Sequence, residues 1–427
     1  MSFVTSSRMP LIFAFFAALA LCSTPADAQN WPRFRGPDGQ GMGTVENLPN
    51  EWADSNFNWR IELPGTGHSS PVVWDGRIYL SGGNDQSGAH VFMCVDAADG
   101  EIIWQKSYAS STYPKHALNS YASGSAAVGE AGVYFCWATP EQFTTIALDH
   151  DGEELWRREL GPFVAQHGCG ISPTLFDDRI FVFVDSDQEN GPGSFVIAMD
   201  AQSGETLWKT SHESSVTNYS APLVYQPDGE SPQIVINSLA QGITSYDPET
   251  GQQLWQLTSV DGQPLLNLRS VSSPYMAGDY LIASCGSGGG GNSLVAVKPP
   301  TSGQSPKLAY RVSRAAPYVP TTLCKDDLLF LFDDAGIATC VDVNTGEVHW
   351  QKRLGGGFFS SPVCSDDRVF CVSKSGEVVI LAAAKTFQEL GRNSLDETCH
   401  ATPAIADGRL IIRTTGHLYS LGGDAAQ

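Results

Sequence analysis

Two histidines stand at matching places near opposite ends of the chain. His68 lies three residues before Pro71, and His400 lies three residues before Pro403. A pair of imidazoles can hold a metal ion or move a proton, but a protein zinc site needs a third ligand, which this spacing does not supply. Arg269 precedes Pro274 in the same kind of segment and could grip a carboxylate through its planar fork. His68, Arg269 and His400 are the candidate cofactor-binding residues. No residue is assigned a catalytic or metal-ligating role. The chain has no G-x-S-x-G, no C-x-x-C and no D-x-[DN]-x-[DN]-G string. The run GSGGGGN (286–292) lacks the Lys-Ser/Thr ending of a phosphate loop and precedes a strand pattern, so it reads as a hairpin loop. The Asp pairs 177–178, 326–327 and 366–367 recur at one kind of turn and read as turn chemistry rather than a Ca²⁺ site, and the pair 333–334 forms no Ca²⁺ string either.

The elements that must position these residues repeat. CVDAADGEIIW ends at Trp104, ALDHDGEELW at Trp156, AMDAQSGETLW at Trp208, SYDPETGQQLW at Trp255 and CVDVNTGEVHW at Trp350. Each reads as a β-hairpin. An apolar strand ends at Asp, whose side chain can bond the turn's N–H groups. Gly then takes the positive φ a tight turn needs, and the next strand ends on Trp. A buried indole at a repeating position is expected to pack on the neighbouring repeat, with its N–H on a carbonyl.

Upstream of each hairpin lies a second mark: Ser70-Pro71, Ser172-Pro173, Ala221-Pro222, Ser273-Pro274, Ser361-Pro362 and Thr402-Pro403, with weaker versions near Ser123 and Thr321. Each opens two further apolar strands, as in PVVWDGRIYL and PTLFDDRIFVF. One unit therefore holds four strands, A to D, at the period of propeller blades. There are eight starts but seven D strands, ending at Trp104, Trp156, Trp208, Trp255, Tyr310, Trp350 and Leu390. An orphan D-like strand, NFNWRIEL, carries Trp59. The expected fold is all-β: an eight-bladed β-propeller of four-stranded antiparallel blades, closed by the N-terminal strand completing the last blade. Trp59, Trp104, Trp156, Trp208, Trp255 and Trp350 are the structural docking residues. Residues just before each A strand should ring one mouth of the axial channel: His68, Asn119, His167, Asn218, Tyr219, Arg269, Tyr318, Phe359 and His400.

Residues 1–28 read as a signal peptide. Arg8 is followed by the apolar run Leu11 to Leu21 and by Ala26-Asp27-Ala28 at the cleavage site. Lipidation at Cys22 is the rival, although Leu21 stands where a small residue is wanted. The expected layout is a leader over 29–56, a propeller over 57–422 and a tail over 423–427. Trp31, in the leader, is expected to tolerate truncation. The nine cysteines after residue 28 occupy small-residue and strand positions and are expected to be unpaired and buried. A formal charge of -21 opposes binding to nucleic-acid phosphates and to anionic lipid surfaces. No stretch is long and apolar enough to span a bilayer, and a monomeric, extracytoplasmic propeller is expected.

The repeated Asp-x-x-Thr-Gly-x-x-x-Trp hairpin resembles the tryptophan-docking motif of quinoprotein-type propellers, from about Trp59 to Gly422. WPRFRGPDGQG (31–41) looks like the leader of secreted members. The resemblance implies one of two roles. Pyrroloquinoline-quinone (PQQ) dehydrogenases oxidise alcohols or sugars and hold Ca²⁺ beside the quinone, often over a Cys-Cys disulfide. BamB-type assembly factors carry no cofactor and bind a partner protein. This chain has no Cys-Cys, and its B–C loops are short. The reading is a non-catalytic envelope scaffold with a protein partner and no cofactor. The alternative is a dehydrogenase using PQQ with Ca²⁺.

Overall fold

The computed structural model describes residues 1, 29–187, 193–301 and 304–423, so the signal-peptide reading and most of the tail lie outside the described residues. Eight antiparallel four-stranded blades form the ring. Blade 1 holds Val72–Trp74, Arg77–Gly83, His90–Asp96 and Ile102–Tyr108 as strands A to D. The last blade holds Ala404–Ala406, Arg409–Arg413 and His417–Gly422, and its outer strand is Phe57–Glu62. That strand pairs antiparallel with His417–Gly422, from Phe57↔Leu421 to Glu62↔His417. The ring is closed as the strand count required.

The hairpin reading holds in atomic detail. Asp96, Asp200, Asp247 and Asp342 each accept turn N–H groups on Oδ1. The turn glycines Gly100, Gly152, Gly204, Gly251 and Gly346 all have positive φ. That freedom is used twice, because the docking ring of the previous blade lies on the glycine. A Cβ on Gly204 would come within 2.6 Å of Trp156, and one on Gly251 within 2.5 Å of Trp208. The indole N–H groups then bond the next blade: Trp59 to Ala97 O, Trp104 to His150 O, Trp156 to Ala201 O, Trp208 to Pro248 O and Trp350 to Ala384 O, at 2.8 to 3.1 Å. Trp255 differs. Its neighbour's turn carries Lys298 in place of the Asp and is enlarged, and the Trp255 N–H bonds Gln233 Oε1 of its own blade at 2.7 Å.

Two details correct the sequence reading. The D strands do not end on the aromatic residue; Trp104 is third in a strand running to Tyr108. A register shift sits beside the docking position, as between Cys94 and Val95 or Ala198 and Met199, and this bulge turns the indole onto the seam between blades. In the seventh blade the docking position is Gly391, opposite Ile380, and not Leu390. A side chain there would run into the carbonyl of Asn50, because the leader fills the seam.

The leader is therefore part of the ring. Trp31 exchanges backbone bonds with Val73 (2.8 and 2.9 Å) and is 1% exposed. Arg35 donates to Thr322 O and Pro362 O, Arg33 to Pro222 O, and Val128 donates to Pro32 O, so one short segment ties five blades across the axis. Met42–Gly43 adds a parallel strand to the inner strand Val363–Ser365. The setting of Trp31, its indole buried over Gly36, argues against the expectation that it tolerates truncation. All nine cysteines after residue 28 are buried and unpaired. Burial pushes the thiols of Cys94, Cys324, Cys340, Cys364 and Cys399 up to about 12, so they are inert small residues.

Candidate functional site: the blind axial channel

The residue that leads into each A strand, the one before the proline where there is one, faces the axis, and its backbone N–H needs a partner because the inner strands leave a gap between blades. The next blade supplies a hydroxyl. Ser70 N donates to Ser125 Oγ and Ser125 N to Ser172 Oγ. The chain resumes with Ala221 N on Ser273 Oγ, Ser273 N on Thr321 Oγ1, Thr321 N on Ser361 Oγ, Ser361 N on Thr402 Oγ1 and Thr402 N on Ser70 Oγ. All distances are 2.8 to 3.0 Å. This hydroxyl ring is interrupted only at Ala221. It lines a cavity of about 740 Å³, and Phe34 of the leader is among the cavity's walls. The leader crosses the axis behind Phe34, which makes the channel a blind pocket.

Of the nine residues expected at the mouth, eight line this cavity: His68, Asn119, His167, Tyr219, Arg269, Tyr318, Phe359 and His400. Asn218 does not. It is buried in its own blade, bonded to Ser220 Oγ and to Asn237 O. Ring closure brings His68 and His400 together, with ring centroids 4.3 Å apart. Burial, with each other's charge and that of Arg413 near His68, lowers His68 to about 3; burial and Lys374 lower His400 to about 4. Both imidazoles are neutral near pH 7, and the Nδ1 atom of each is buried without a partner among the described residues. Arg269 stands across the channel. Its Nη2 is 3.4 Å from Asp187 Oδ1, its guanidinium lies 5.9 Å from the Tyr219 ring centre, and its Nε has no partner among the described residues. Asp187 also accepts the backbone N–H groups of Gln166 and Thr217.

Sequence reasoning missed four contributors. Lys374 lies 4.8 Å over the Phe359 ring and donates to Asp334 O at 3.0 Å. Asp334 accepts from Tyr318 N and Val319 N, and burial raises its carboxyl pKa. His116 stacks edge-on with His167 at 5.1 Å. Phe34 comes from the leader. Asp334 and Lys374 occupy the same place in successive blades, just after strand B, so the repeat carried a signal for both. His116 and Phe34 lie outside the repeat and had none.

The charged side chains lining the cavity are therefore two cations and one carboxyl: Arg269, Lys374 and Asp334. No hydroxyl of the cavity is bonded to an imidazole among the described residues. Among the described residues no group of three His, Cys, Asp or Glu side chains could hold a metal ion. No helix among them is long and apolar enough to cross a membrane.

Fold and channel together define an eight-bladed propeller of PQQ-like repeats. The family model described as outer membrane protein assembly factor BamB matches residues 142–309, 313–389 and 335–424, more than half of the chain, and the chain belongs to that family. A polyvinylalcohol dehydrogenase from a Pseudomonas species is 26% identical over 207 residues, 44% of this chain; the chain spans only 29% of that relative's length. Among solved structures, a europium-containing methanol dehydrogenase superposes with a TM-score of 0.70 at 12% identity, covering 92% of this chain and 98% of that one. BamB from Moraxella catarrhalis gives 0.59 at 15% identity, covering 86% and 99%. The quinohemoprotein alcohol dehydrogenase from Comamonas testosteroni gives 0.63 at 14%, covering 93% and 81%. These structural likenesses establish the fold.

Proposed function

We propose that the protein is a non-catalytic, extracytoplasmic propeller that holds a partner protein in an envelope assembly. The observation that carries this reading is on the outer strands. Ile103, Leu155, Leu207 and Leu254 each stand immediately before the docking tryptophan in four consecutive blades, and each is 42% to 46% exposed. Each lies on a strand at the outer edge of its sheet, where one row of backbone N–H and C=O groups is unpaired among the described residues. A regular belt of exposed aliphatics beside open strand edges suits an extended segment of another protein, which adds backbone bonds and fills side-chain sites. The family match supports the same reading.

The alternative is an alcohol or sugar dehydrogenase using PQQ with Ca²⁺. The residues at the channel mouth do not fit that metal. Asp334 spends its oxygens on two amides, Asp187 is engaged by two amides and Arg269, and no third ligand joins them among the described residues. A chain carrying Leu155→Lys, Leu207→Lys and Leu254→Lys together tests the proposal by cross-linking in the cell envelope. The wild type should form one stoichiometric cross-linked complex with a protein, and the triple variant should lose it without a change in melting temperature. Micromolar binding of PQQ with Ca²⁺, with alcohol-dependent dye reduction lost in Arg269→Ala, would overturn it.

A further inference from the structure

The hydroxyl ring has one property that packing between blades does not require. Each of its seven oxygens accepts a backbone N–H from the preceding blade, and none donates to a protein atom among the described residues. A serine or threonine hydroxyl has one proton to give, so the ring presents a circle of free O–H donors to the cavity. The mouth above adds further donors, since Tyr219 Oη and Arg269 Nε are buried and without a partner among the described residues. Against them the cavity offers few free acceptors. The Asp334 carboxylate is already bonded to two amides, and among the described residues the fully buried side-chain acceptors of the lining left without a partner are the Nδ1 atoms of His68 and His400. The apolar part of the wall is aromatic at Phe34, Tyr219, Tyr318 and Phe359 and aliphatic at Leu239 and Val271.

A donor-rich, partly desolvated pocket with two cations is complementary to an acceptor-rich ligand. A carboxylate accepts up to four hydrogen bonds and donates none. The volume suits a ligand of drug size or smaller, with room for water around it. We propose that the hydroxyl-ringed floor of the channel binds the carboxylate of a small organic acid whose apolar part rests on Phe34. A neutral polyol would leave its own donors competing with the ring's. A polymer cannot thread through the channel, because the leader closes the far end. The chain's overall negative charge does not forbid entry, since charges farther off than a Debye length of about 8 Å at physiological salt are largely screened. The proposal goes beyond the scaffold reading and fails separately from it, because one concerns the channel and the other the outer strands.

The test uses the folded chain with benzoate as the acid and benzyl alcohol as its uncharged counterpart, measured by calorimetry and saturation-transfer NMR. Benzoate should bind with Kd on the order of 1 mM, as expected of so small a ligand, and benzyl alcohol at least about tenfold more weakly. Ala221→Ser supplies the missing eighth hydroxyl and should tighten benzoate binding by about threefold, within the range of one added hydrogen bond. Phe34→Trp fills the floor and should abolish the signal. If that variant fails to fold, Ala221→Ser alone decides. Benzyl alcohol binding as well as benzoate, a Kd unchanged in Ala221→Ser, or no benzoate saturation by about 20 mM would each overturn the proposal.

Discussion

The ring of Trp59 lies on Gly100, so closely that a Cβ on the glycine would come within 2.8 Å of the indole. One residue belongs to the last blade and the other to the first. This contact, with the Nε1–H of Trp59 on Ala97 O at 3.1 Å, is the same docking bond that joins the other blades, made here by strands from opposite ends of the chain. Ring closure therefore depends on Phe57–Glu62. A chain starting at Leu63 should expose the edge of His417–Gly422 and aggregate, or unfold at a much lower temperature. Light scattering and calorimetry would report it. A truncated chain that melts like the full one would show that the seam is closed by something else.

Trp208→Ala should cost about 3–5 kcal/mol, the usual loss for a buried large aromatic. The structure extends that expectation to Trp31, which is as buried as any docking residue and is tied by two backbone bonds to Val73. Trp31→Ala should also cost about 3 kcal/mol or more, as a large cavity does. Denaturant titration of both variants checks the pair. A loss under about 1 kcal/mol at Trp31, as for an ordinary surface site, would mean that the leader contributes little.

The propeller was legible because a repeat averages out local ambiguity. No single hairpin proves a blade, but Asp-to-Trp spacing of eight residues in four copies and seven in a fifth, with a proline-marked strand before most of them, leaves few other folds. The count of strands then forced Trp59 to the far end of the chain. The leader was not legible for the complementary reason. WPRFRGPDGQG occurs once, has no period, and is rich in glycine and charge, so nothing local distinguishes a solvated arm from a segment threaded across the axis. Arg35 shows the physics: it is 1% exposed with no carboxylate partner, held by carbonyls of two blades that only the closed ring brings together. The same split runs through the site. Mouth residues numbered from the prolines were placed well, and Asn218 failed only because its side chain turns back to Asn237. His116 lies on a loop of irregular length, where the repeat gives no register.

Ala221 breaks the hydroxyl ring at one point of eight, so a serine there should restore the pattern. Ala221→Ser should stabilise the fold by about 0.5–1.5 kcal/mol, the net worth of one intramolecular hydrogen bond. The site is 7% exposed, and its neighbours Ser172 and Ser273 carry the same hydroxyl in the same position without strain. Urea unfolding would measure the gain. A loss of stability instead would mean that the cavity wall at Ala221 is packed too tightly for an added oxygen.

Acid should weaken the fold through three buried imidazoles. His68 is held near 3, and His90 and His400 near 4, all chiefly because burial disfavours the charged ring. His90 is the clearest case, being 1% exposed with its ring 5.5 Å from that of Trp137 and its Nε2 unpartnered. An unfolded chain protonates these rings near pH 6.5. Above that pH neither state carries the protons and stability is unaffected. Between about 6.5 and 4 the unfolded state binds more protons than the folded one, so stability falls as pH falls, by up to about 1.4 kcal/mol per unit for a fully buried ring. Asp185, whose carboxyl is raised by burial, works in the opposite direction and blunts the slope. At pH 5 the share from His90 alone should reach about 2 kcal/mol relative to pH 7. His90→Gln removes the titrating ring, so its stability should fall less between those two pH values than that of the wild type. Chemical denaturation of both proteins at pH 7 and pH 5 measures the difference, and equal slopes would show that His90 is already protonated in the native state or reaches water in it.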